Sequence, residues 1–103
     1  MMEHGADSFS QHLNTKFSAE VGSAGPVELE LVNVVVRPSG PNEAAGMERF
    51  STFFRGPLNA FLPQQTYEVS HPEMGQMLIF LVATGQDEKG YQYEAVFNRF
   101  LGD

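Results

Sequence analysis

Apolar and polar side chains alternate with two different periods along this chain. Near the start Phe9, Leu13 and Phe17 recur at spacing four, and Ser8 with Gln11 three residues on resembles a capping box. A short helix is expected there, with an apolar stripe that needs something to cover. From Gly25-Pro26 the period falls to two, since Val27, Leu29 and Leu31 alternate with Glu28 and Glu30 as in a half-buried strand. Arg37-Pro38-Ser39-Gly40-Pro41 breaks that strand, because proline cannot donate to a ladder. Residues 48–55 read as a Phe-rich strand, and 56–63, with Pro57 and Pro63, as a loop folded back on the core with Phe61 and Leu62 as plugs. Strands over 66–70 and 76–83 flank His71-Pro72-Glu73-Met74-Gly75, and Gln86-Asp87-Glu88-Lys89-Gly90 leads into a strand over 91–99. The architecture expected is mainly β: a small antiparallel six-stranded barrel, or a curled sandwich, with one short N-terminal helix, because closure removes unpaired edges.

The strand over 77–82 is apolar on both faces. Pairing Leu81 with Tyr93, Ile79 with Ala95 and Met77 with Phe97 makes one face wholly apolar and assigns it to the core. The other face then carries Leu78, Phe80 and Val82 opposite Val96, Glu94 and Gln92, a mixture typical of an interface. Something must cover that face: either the Phe9, Leu13, Phe17 helix of the same chain or another protein surface.

A chain of 103 residues is one domain, here 1–103, with 1–7 expected as a disordered tail. Six Lys and Arg against 13 Asp and Glu give a net charge of −7, which would repel a phosphate backbone or an anionic membrane. Nucleic-acid and membrane partners are therefore not expected. The lack of Cys removes disulfides, a thiol nucleophile and thiolate-held metals. No basic n-region followed by an apolar run marks the N-terminal segment as a secretory signal, so a cytoplasmic location is expected.

Candidate chemistry is sparse. No Gly-rich phosphate loop, nucleophile elbow or HExxH pair occurs, and His4, His12 and His71 share no single element, so neither a metal nor a cofactor is expected and the chain reads as non-catalytic. His71 reads as a turn residue before Pro72, Glu28 and Glu30 as solvated strand carboxylates, and Asp87 and Glu88 as a polar hairpin tip. Glu94 reads as the partner of Arg55 or Arg99 across neighbouring strands. The Phe cluster of Phe50, Phe53, Phe54, Phe61, Phe80, Phe97 and Phe100 reads as core rather than a stacking platform. The first functional reading is an interaction or assembly module that self-associates or docks on a protein through Leu78, Phe80, Val82 and Glu94. The alternative is a small-ligand-binding barrel or cryptic hydrolase whose polar cluster is Arg55, His71, Glu94 and Arg99.

Several phrases together resemble a family of small bacterial proteins with one domain of unknown function: Phe50-Ser51-Thr52-Phe53-Phe54-Arg55-Gly56-Pro57, Leu62-Pro63-Gln64-Gln65-Thr66-Tyr67, His71-Pro72-Glu73-Met74-Gly75 and Tyr91-Gln92-Tyr93-Glu94-Ala95-Val96-Phe97-Asn98-Arg99. The resemblance spans roughly residues 9–99. It implies no activity, and it associates such proteins with phage-tail-like, tail-collar-like or surface-fibre assemblies.

Overall fold

The computed structural model describes residues 5–22, 25–37 and 47–100, with the backbone alone at 47, 99 and 100. Among the described residues the chain forms α1 (Ala6–Ser10), then β1 (Lys16–Glu20), β2 (Pro26–Arg37), β3 (Met47–Gly56), β4 (Gln65–His71), β5 (Gly75–Asp87) and β6 (Gly90–Phe100). The strands close into an antiparallel barrel in the order β1-β2-β3-β6-β5-β4. No helix among the described residues is long and apolar enough to cross a membrane.

Period-two patterning fills the barrel. Phe17 and Ala19 of β1, Leu29 and Leu31 of β2, Phe50 and Phe54 of β3, Tyr67 and Val69 of β4, Ile79 and Leu81 of β5, and Tyr93 and Ala95 of β6 are all buried. In β2 the alternation breaks at Val32, where a register shift between Leu31 and Asn33 inverts the phase. Leu31 pairs with buried Phe54 before the bulge, and Val34 pairs with buried Thr52 after it.

The N-terminal segment departs from the spacing-four expectation. α1 has five residues, Gly5 is its N-cap, and Ser8 lies inside it with no side-chain cap bond, so the capping box does not form. The helix starts within the stretch expected as a disordered tail, and Ala6 is buried; residues 1–4 of that stretch lie outside the described residues. Asn14, at φ 67, then reverses the chain, a conformation Asn tolerates better than most residues. Phe17 consequently belongs to β1, where it pairs with Leu29, and Leu13 is left 38% exposed in the turn. Phe9 alone plugs the barrel mouth, with ring centroids 6.3, 5.9 and 5.4 Å from those of Phe17, Phe50 and Phe97. Burying one such ring contributes roughly 1.5–3 kcal/mol.

The β5–β6 register is two residues away from the expected one: Val82 pairs with Glu94 and Ala83 with Tyr93. The cause is local. A two-residue tip, Glu88-Lys89, follows Asp87, whose carboxylate accepts the Lys89 and Gly90 N–H groups (2.8 and 3.1 Å), and a bulge falls between Ala83 and Gly85. Gly90 is obligatory at this tip: its φ is +152, and an added Cβ would lie 2.2 Å from the Gly56 carbonyl oxygen. Since a slip of two preserves parity, Ile79, Leu81, Tyr93 and Ala95 still face the core, and Leu78, Phe80 and Val82 still face out.

At this same end of the barrel, away from Phe9, the loop over 57–64 is pinned by two tyrosines. The Leu62 N–H donates to the Tyr93 hydroxyl (2.9 Å), and the Tyr67 hydroxyl donates to the Pro63 carbonyl (2.5 Å). Burial raises the pKa of both phenols. Leu62 is the plug here. Phe61 is not, being 53% exposed and edge-on to Tyr91 at 5.1 Å.

Candidate functional site

The outer faces of β5 and β6 carry some of the apolar side chains that the core does not use. Leu78 is 73% exposed, Phe80 49% and Val96 59%, while Val82 and Glu94 are half-buried beside them. Polar groups bound this patch on both sides. Toward β4 the cross-strand partners of Leu78 and Phe80 are Glu68 and Thr66. Toward β3 and β2 the Arg37 guanidinium lies over the wall, donating to Ser51 Oγ (3.0 and 3.3 Å) and to Glu94 Oε2 (3.1 Å). α1 does not cover the wall, because its Phe9 is inside the barrel mouth.

Among the described side chains Glu94 therefore pairs with Arg37 rather than with Arg55, one of the two partners its strand neighbours suggested. Arg55 stands on the outer face of β3, with Glu30 and Gln92 as cross-strand partners. Its charge helps to lower the pKa of Asp87, although the Lys89 N–H is the larger cause. The backbone of Arg99 pairs with Glu48, and its side chain lies outside the described residues.

His71 points the other way, into the barrel mouth, where its ring centroid is 4.5 Å from that of Phe17. His71 Nδ1 accepts the N–H groups of Glu73 (3.0 Å) and Met74 (3.2 Å), so the ring proton sits on Nε2. Nε2 donates to Thr15 Oγ1 (2.9 Å), and that hydroxyl donates to the His12 carbonyl (2.6 Å). Both ring nitrogens are thus used, Nδ1 in the turn after β4 and Nε2 on the segment between α1 and β1. Burial, and then the charge of His12, lower its pKa.

His12, 4.7 Å from His71 between ring centroids, has the opposite environment. Its Nδ1 donates to the Ser8 carbonyl (2.8 Å) and its Nε2 to Glu73 Oε1 (2.8 Å), two acceptors that only an imidazolium satisfies together. The Ser8 bond, opposed by burial and supported by Glu73, raises its pKa. Spacing along the sequence missed this cluster because it inspects one element at a time, whereas the two histidines come from the turn after α1 and the end of β4. No group of three or more His, Cys, Asp or Glu able to hold a metal ion occurs among the described residues.

Arg55, Glu94 and His71 are thus not brought together: two stand on the outer wall and one faces inward. A groove of about 860 Å³ at the loop end is lined by Val27, Phe61, Leu62 and Tyr67 together with Glu20 and Glu28, and it includes none of those three. No curated protein and no solved structure matches this chain. The sequence model of the Domain of unknown function (DUF6916) family matches residues 4–97, nearly the whole of this barrel with its N-terminal plug, and the chain belongs to that family.

Proposed function

We propose that this chain is a non-catalytic interaction module of the cytoplasm that self-associates through the outer wall of β5 and β6. The observation that carries the reading is the exposure of Leu78 and Phe80 on the outer face of β5 and of Val96 on that of β6. Such a wall loses apolar contact with water when a second surface covers it, at about 25 cal/mol per Å². The bonded Arg37, Ser51 and Glu94 form a satisfied polar margin that a partner need not break. In the phage-tail-like or surface-fibre assemblies implied by the family resemblance, the module is an accessory subunit. The ligand-binding or hydrolytic alternative is less supported, because Arg55 and Glu94 face outward while His71 faces the barrel mouth.

Light scattering tests this reading. The wild type is expected as an oligomer, and Phe80→Arg as a folded monomer melting within a few degrees of it. A wild type that is monomeric at every concentration overturns the proposal, as does a Phe80→Arg variant that unfolds.

A further inference from the structure

β5 changes its ladder partner along its length. It pairs with β4 from Gly75 to Leu81, and with β6 only from Val82 to Asp87. β6 continues to Phe100 paired with β3, so below the Val82–Glu94 rung the two strands separate. Over residues 76–81, therefore, β5 has no ladder partner on its second side among the described residues. An open edge of this kind is a template for another strand.

The open stretches of β2 and β4 are blunted. On β2, beyond the rungs to β1, the Val34 N–H is already taken by Asn33 Oδ1 at 2.9 Å, and the strand ends on Arg37. On β4, the stretch over 65–68 beyond its rungs to β1 follows Pro63 and carries Glu68. The β5 edge has no such guard: from Met74 to Gln86 there is no Asp, Glu, Lys, Arg or His, and no Pro. In a chain of net charge −7 a two-fold contact sets each charged surface against its own copy. This uncharged strip is where a second copy meets no repulsion.

We infer that the free edge of β5 pairs antiparallel with the same edge of a second copy, about a two-fold axis through Ile79. The inference rests on the self-association proposed above and specifies its geometry. In this register Leu78 opposes Phe80 of the second copy and Met77 opposes Leu81, so that every pair over 77–81 is apolar. A two-residue displacement would set Gln76 or Val82 against these positions, and Val82 is already committed to β6.

Two measurements on the full chain test it. Hydrogen exchange on the wild type at low and high protein concentration is expected to slow by about tenfold or more for the amides within 76–81 as the oligomer forms. Because the chain has no Cys, single substitutions report the register: an equimolar mixture of Leu78→Cys and Phe80→Cys is expected to form a disulfide-linked pair faster than either variant alone. An oligomer without concentration-dependent protection over 76–81, or with Leu78→Cys linking to itself as fast as to Phe80→Cys, overturns the edge pairing while leaving self-association intact. A chain that stays monomeric overturns both.

Discussion

Thr52 and His12 show how single side chains set the stability of this barrel. Thr52 is fully buried between Phe50 and Phe54 on β3, and its hydroxyl has no hydrogen-bond partner among the described residues. An unsatisfied buried hydroxyl costs about 1–3 kcal/mol, so Thr52→Val, which keeps the branched shape, is expected to raise stability by about 1 kcal/mol in urea unfolding. An unchanged or lowered midpoint would mean the hydroxyl is satisfied after all. His12 ties the end of α1 to the β4–β5 turn as a cation. Its folded pKa is raised, so its contribution is complete below the unfolded value of about 6.5 and fades as pH rises through the folded value. His71, with a lowered pKa, acts in the opposite sense: its contribution is complete above that value and fades as pH falls. The two slopes oppose each other in the wild type, so the variant His12→Gln separates them. Its destabilisation, measured by thermal melts, is expected to be larger near pH ~5.5 than near pH ~8.5. A loss that grows with pH would contradict the imidazolium.

At the scale of the element, α1 is a plug rather than a helix in its own right. Five residues cannot sustain a helix, and what holds it is Phe9 among Phe17, Phe50 and Phe97. Phe9→Ala is therefore expected to cost about 3–5 kcal/mol by chemical denaturation, and Leu13→Ala less than about 1 kcal/mol because Leu13 is in a turn at the surface. Equal losses would restore the spacing-four stripe. That stripe was the misleading part of the sequence. Phe9 and Phe17 do meet in the core, but from a helix and a strand, and nothing in a spacing of eight distinguishes one helix from two elements joined by an Asn14 reversal. The strands beyond Gly25 were legible because each alternates over enough residues to fix its faces. The β5–β6 register was legible only to parity, since a bulge at 83–85 moves pairing without moving faces.

At the scale of the molecule, barrel closure and the proposed association draw on the same strand. β5 is the longest strand among the described residues, with 13 residues, and only part of its length is needed to seal the barrel against β6. The remainder presents Leu78 and Phe80 outward on a wall that α1 leaves bare. The wall was legible in the sequence as a strand apolar on both faces, whereas its polar margin was not, because Arg37 reads as part of a strand break rather than as the partner of Ser51 and Glu94. The histidine cluster was hidden for the same reason, since 61 positions separate His12 from Glu73. Only the fold brings such pairs together.

The central claim is that the β5–β6 wall is where this molecule meets another copy of itself, and a dilution series of methyl NMR spectra tests it most directly. The methyl signals of Leu78 and Val96 are expected to shift with concentration, while those of Leu62 and Val27, at the loop end, stay fixed. Spectra that do not change on dilution, or changes confined to the loop end, would contradict it.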